Sequence, residues 1–506
     1  MMRIRSLLLM TALLTVSTAS AAIPTAAQQE ATAIVAKAGT GGGLIVHLGS
    51  SDGRLTAALQ VNNRLQIHGL DRDWDDVVIA RNFIRGEGLY GAIAVDQLTS
   101  DRLPYIDNLV NLIVIEEAGS ISDDEIQRVL VPNGVALVRT GDDWKKTIKE
   151  RPKDIDDWSH FLHDASNNAV AHDTVVGPPR HLQWLGSPRW SRHHDRMASM
   201  SALVSSAGRL FYIMDEGSRV SIQLPPSWTV VGRDAFNGTV LWKQPIKDWH
   251  SHLWPLKSGP TQLARRLVAT EDRVFVTLGI QAPLTAIDAI TGEIVHTYEE
   301  TASTEEILHD NGTLFLLVNK GESDLLKYRP INPVVGDQGD VGKNWRWDEQ
   351  PRVVMAVDAE SGKTLWSRQS IVSPLTLGAD AGHVFIHDGE KVVCLDRKTG
   401  DPKWSSKPAV RRRTITYNFG PRLVAFENTL LYAGGDRTMQ AYDIPSGRLL
   451  WESPHDRSGY QSPEDLLIMR NLVWSAPTTS GKDSGNFTGR DIRTGEVKVE
   501  FPPNVE

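Results

Sequence analysis

Ala356-Val-Asp358-Ala-Glu-Ser-Gly362-Lys-Thr-Leu-Trp366 is the stretch on which the fold turns. It reads as the end of one strand, a tight turn and the start of the next. The Asp carboxylate can accept backbone amides ahead of it, and the Gly supplies the positive φ that such a turn needs. The pattern of Asp, two variable residues, Thr, Ser or Asn, then Gly also begins at Asp234, Asp288, Asp396, Asp443 and Asp491. In four of the six copies a Trp follows the Gly by four residues: Trp242, Trp366, Trp404 and Trp451. An apolar, strand-like run precedes each turn, starting at Leu210, Val274, Leu314, Val384, Leu430 and Leu472. One repeat is therefore about four strands, the size of a propeller blade. A blade cannot bury both faces alone, so the recurring Trp is expected to wedge between neighbours. The Gly/Asp/Asn-rich stretch from Lys320 to Gln350 is expected to be a long surface loop.

At 506 residues the chain is too long for one domain. Net charge is −8 with no long basic run, which gives nucleic acid no footprint; Arg411-Arg412-Arg413 reads as a solvated loop between blades. Arg3 and Arg5 precede an apolar run from Leu7 to Val16, and Ala19-Ser20-Ala21 follows. This is the layout of an export signal over residues 1–21. The run is too short for a transmembrane helix, so the mature chain is expected in the periplasm or outside the cell. Residues 22–42 read as a flexible linker. Cys394, the single cysteine, can form no internal disulfide and reads as a buried apolar thiol.

Residues 43–142 alternate strands with helical patterns, which implies parallel βαβ units in a Rossmann-like domain. Leu44-Ile-Val-His-Leu runs into Gly49-Ser-Ser-Asp52-Gly53, and later strands end at Asp71, Asp96 and Glu116. Acidic residues at strand carboxyl ends lie where such sheets take ligands. The stretch resembles the core of class I S-adenosylmethionine methyltransferases. That resemblance implies that Gly49, Asp52 and Gly53 form the cofactor loop, that Asp71 holds the ribose and that Asp96 lies by the adenine. Val129-Leu-Val-Pro-Asn-Gly134 is similar to the family's Leu-x-Pro-Gly-Gly turn. His47 replaces the acidic residue usual in the first strand, and Ser51 the middle Gly of the loop. The family's closing antiparallel strands are not evident before residue 150. An exported chain also leaves the compartment where the cofactor is made, so the domain reads as a degenerate one.

Residues 143–177 connect the halves, and 178–506 form the propeller. Six of the 15 His fall between 160 and 194. His160 and His163 have the spacing of one helix face, and Arg192-His193-His194-Asp195 follows. Two readings stand. The segment is a hydrogen-bonded, aromatic-lined linker, or His160, His163, His193 and His194 converge, with Asp164 or Asp195, on Zn²⁺ or Fe²⁺.

The Ala-x-Asp-x-x-Thr-Gly-x-x-x-Trp repeat resembles the blades of pyrroloquinoline-quinone (PQQ) enzymes and of their non-enzymatic relatives, over about 180–506. With a methyltransferase-like domain ahead of it, the whole resembles exported PQQ-like propeller proteins of planctomycete type. The enzymes' adjacent cysteine pair and a Cys-x-x-Cys-His haem motif are both missing, and their Ca²⁺ ligands cannot be placed. The resemblance therefore implies a scaffold that binds a protein or envelope ligand on the propeller face. A PQQ- and Ca²⁺-dependent dehydrogenase and an S-adenosylmethionine-dependent methyltransferase are the two enzymatic alternatives. PQQ-type propellers often have eight blades; the six visible here imply either a six-bladed ring or a sequence that stops short.

Overall fold

The computed structural model describes residues 22–502, apart from 118, 180, 187–198, 222, 254–259, 328–345, 416–419, 456–465 and 476–485. The expected export signal, most of the 320–350 insertion and His193, His194 and Asp195 lie outside the described residues. No described helix is long and apolar enough to cross a membrane. The chain divides into two compact units, with the boundary after Lys149.

The first unit is an α/β sheet. Its strands are β1 (Gly43–Leu48), β2 (Leu65–Asp71), β3 (Ile93–Gln97), β4 (Val110–Ile115), β5 (Leu130–Thr140) and β6 (Asp143–Ile148). Their order is β3-β2-β1-β4-β5-β6. β1 pairs β4 in parallel, as β2 pairs β3 and β4 pairs β5, while β6 runs antiparallel to β5. The order reverses between β1 and β4, which opens a crevice at the strands' carboxyl ends. Two expectations are corrected here. Residues 143–148 are the sheet's edge strand, not part of the connecting segment. Residues 22–42 are not a flexible linker: α1 (Thr25–Ala38) buries Ala31, Ile34, Val35 and Ala38 against the sheet. The i, i+3, i+4 spacing of those side chains gives one apolar stripe. Gly39, with φ +77°, ends the helix and donates to Val35 and Ala36.

The second unit contains six four-stranded antiparallel sheets among its described residues, at 200–245, 267–298, 304–371, 378–408, 422–454 and 467–501. Every Asp-x-x-x-Gly motif turns the hairpin between the last two strands of its sheet. Asp358 Oδ1 accepts the Ser361 amide at 2.8 Å, its carbonyl accepts the Gly362 amide at 2.9 Å, and Gly362 has φ +71°. A bulge follows, which sets Trp366 opposite Ala356. The residue opposite that bulged position is small throughout: Gly232, Ala286, Ala356, Cys394, Ala441 and Gly489. Cys394 thus leaves room for Trp404, and burial pushes its thiol up to about 12.

Five apolar cores each draw on two successive sheets, so the sheets stack face on face in chain order. The aromatic wedges close these interfaces. Trp242 Nε1 donates to the carbonyl of Ala289, Trp366 to that of Arg397, Trp404 to Ile444 and Trp451 to Ile492. Each acceptor is the residue just after the Asp of the next sheet's turn. The Gly of that turn lies under the ring: a Cβ on Gly447 would sit 2.6 Å from Trp404. In the second sheet His296 holds the Trp position over Gly362, and the Tyr298 hydroxyl makes the donation, to Ala359. Trp184, outside any repeat, serves the first sheet by donating to Ala235 at 2.8 Å.

Candidate functional site

The first strand of each sheet leaves one edge unpaired, and a row of bare amides demands partners. A single stretch of chain, 156–172, meets one such amide on each of the six. In chain order it meets the six first strands in their own chain order. The Trp158 carbonyl accepts the Ser205 amide (2.8 Å) and the Ser159 carbonyl that of Ala269 (3.0 Å). His160 Nε2 accepts from the His309 amide at 3.0 Å. The Ala165 carbonyl accepts from Ala379 (2.8 Å) and that of Ser166 from Ala425 (2.9 Å). The Asn168 side chain closes a pair with Ile468, accepting its amide at 2.8 Å and donating to its carbonyl at 2.9 Å. These amides all lie at or next to the end of their strands, so the segment crosses one level of the unit.

The local sequence explains the path. His163 (φ +70°) and Asn167 (φ +64°) take left-handed conformations, so 160–163 forms a tight turn with a two-residue bridge. The helix face expected from the spacing of His160 and His163 is absent, because a left-handed residue ends a helix. Asp164 Oδ1 accepts the Ser166 amide and hydroxyl at 2.8 and 2.5 Å, shaping the next bend. Asn167 donates to the carbonyls of Leu377 and Leu423 and accepts from Arg265 Nη1 at 2.6 Å. Arg265 in turn pairs with Glu306 at 3.0 Å, both fully buried. Burial pushes the Glu306 carboxyl up, while Arg265 and the Leu375 amide pull it back.

The histidines divide by task. His160 accepts from an amide, so its Nε2 carries no proton, and burial pushes its pKa down to about 3. That nitrogen is committed to the His309 strand and is not offered to an ion. His163 lies between two carboxylates, Nε2 to Asp156 at 2.7 Å and Nδ1 to Asp164 at 3.1 Å. Burial opposes its charge, but the two hydrogen-bonded carboxylates outweigh burial and raise its pKa. His172, which the sequence reading left without a role, packs edge-on against His163 with ring centroids 5.1 Å apart. A cavity of about 440 Å³ opens beside Asp164 and His172, walled by the hairpins at Asp310, Asp380 and Glu427.

In the first unit the expected cofactor residues occupy the carboxyl ends of β1, β2 and β3. Gly49 and Gly53 have φ +82° and +79°. A Cβ on Gly53 would meet the Ala80 backbone at 2.8 Å, so this glycine seats the helix Trp74–Gly86 against the loop. Asp52 pairs with Arg54 at 2.6 Å. Asp71 already accepts the Ser51 amide on one oxygen and the Asp73 amide on the other. Asp96 holds Arg81 at 2.5 Å and His68 at 3.1 Å, and Tyr105 contacts the far side of that imidazole at 2.6 Å. These carboxylates brace the domain's own loops.

Residues 350–502 match the family model described as outer membrane protein assembly factor BamB. A curated relative, the outer membrane protein assembly factor BamB of Burkholderia pseudomallei, is 26% identical over 163 residues, 29% of this chain. The chain spans 42% of that relative's length. Among solved structures, BamB from Moraxella catarrhalis covers 61% of this chain and 77% of its own, at 16% identity and TM-score 0.36. For the first unit, a putative S-adenosylmethionine-dependent methyltransferase from Methanococcus maripaludis covers 22% of this chain and 53% of its own, at 28% identity and TM-score 0.20. The later sheets are thus a BamB-like propeller repeat region.

Proposed function

We propose that this chain is an exported β-propeller scaffold that binds protein partners in the cell envelope and carries no chemistry of its own. The observation that supports this most is the use made of 156–172. This is the segment richest in groups able to do chemistry, and its carbonyls, His160 and Asn168 are spent on latching six strand edges. The printed role of the curated relative, assembly of outer membrane proteins, agrees with a protein-binding propeller and with a periplasmic setting. The methyltransferase-like unit is read as a degenerate domain kept as structure, since Asp71 and Asp96 serve their own loops. A fold readily outlives its chemistry.

Calorimetry of the purified chain with S-adenosylmethionine, and separately with PQQ and Ca²⁺, tests this reading. The expected result is no saturable heat from either. Saturable binding of S-adenosylmethionine that is lost in Asp71→Ala would establish the methyltransferase alternative. Dye-linked alcohol oxidation on addition of PQQ and Ca²⁺ would establish the quinoprotein one.

A further inference from the structure

We propose that His163, Asp164 and His172 form a binding site for one divalent transition-metal ion at the edge of the cavity that Asp164 and His172 line. One donor atom from each lies within 4.8 Å of the other two. His163 Nδ1 and Asp164 Oδ2 are 3.1 Å apart, close to the roughly 3.3 Å between neighbouring ligands of a tetrahedral ion with bonds of about 2.0–2.2 Å. His172 is exposed, and its ring already packs edge-on against that of His163, with centroids 5.1 Å apart.

Each ligand is held from behind, as ligands of metal sites are. Asp156 Oδ2 takes His163 Nε2 at 2.7 Å, which turns Nδ1 toward Asp164. The same oxygen accepts the His172 amide at 2.6 Å, fixing where that residue leaves the backbone. Ser166 occupies Asp164 Oδ1, leaving Oδ2 to face the imidazole. Trp158 packs edge-on against the His163 ring at 5.3 Å. With Nε2–H given to Asp156, only a proton or a cation can sit between Nδ1 and Oδ2. Binding therefore displaces that proton to solvent as the metal–nitrogen bond forms. Two imidazoles and a carboxylate suit Zn²⁺ or Fe²⁺. Three protein ligands would leave a coordination position open, and two of the three, Asp164 and His172, line the cavity with Asp310, Asp380 and Glu427.

The test titrates the untagged full-length chain with Co²⁺, followed by its visible absorption, and then displaces it with Zn²⁺. The expected result is one equivalent bound. His172→Ala and Asp164→Asn should each weaken binding at least tenfold, and Asp156→Asn, which touches no metal, by about tenfold. His172→Ala removes only an exposed ring, so circular dichroism should show it folded even if Asp164→Asn is not. Absence of a one-equivalent site would overturn the proposal. So would equal Co²⁺ affinity in His172→Ala and the unsubstituted chain, which would assign the ion to other histidines.

Discussion

At the scale of single residues, each wedge between sheets does two jobs. The Trp404 ring fills the space opened by Cys394 and covers Gly447, and its indole N–H satisfies the Ile444 carbonyl. Trp404 is only partly buried, so Trp404→Ala should cost about 2–4 kcal/mol in urea unfolding, somewhat below the loss for a fully buried aromatic. Trp404→Phe keeps much of the area but strands the carbonyl, and should cost about 1–2 kcal/mol. If both cost the same, the ring contributes nothing beyond its hydrogen bond; if Trp404→Phe costs nothing, the hydrogen bond contributes nothing. Gly400→Ala should be destabilising by about 1–3 kcal/mol, since its Cβ would meet Trp366 at 2.5 Å at a φ of +73°. The four Trp wedges were legible because they stand at one spacing from a repeated turn. Tyr298 and Trp184 were not, because one is shifted by two residues within its strand and the other lies outside the repeats. Only the geometry of the shared acceptor identifies them.

At the scale of elements, the turn motif decided the hairpins because its Asp and Gly are local devices. Asp288 accepts the Ile290 and Thr291 amides, so Asp288→Ala should cost about 1 kcal/mol and leave the spectrum of the folded chain unchanged. Elements whose partners are distant in sequence escaped notice. The strand at 143–148 reads as a polar, Lys-rich connector because it is an edge strand with mostly exposed side chains. The latch at 156–172 meets backbone amides up to 300 residues away, and an amide leaves no mark on the sequence. His160 and His163 are three apart, as on a helix, yet the left-handed backbone at His163 bends them into a turn. Of the expected cofactor residues, the positions at strand ends were readable; that Arg81 and His68 would engage Asp96 was not.

At the scale of the molecule, charge and burial make the second unit sensitive to acid. Burial pushes His250 down to about 3 and His387 to about 4, so both stay neutral when folded. Unfolded, they titrate near 6.5. Between pH 6.5 and 4 the unfolded chain binds more protons, so stability falls as pH falls through that window. Urea midpoints at pH 7.5 and 5 should differ accordingly, and His387→Gln should reduce the difference if it folds. One short segment ties the six sheets together by their exposed edges. Hydrogen exchange resolved to single amides tests it most directly, at Ser205, Ala269, His309, Ala379, Ala425 and Ile468. All six should be protected to the level of the sheet interiors, and Asn168→Ala should release Ile468 first. Fast exchange at these six amides in the unsubstituted chain, as at any open strand edge, would contradict it.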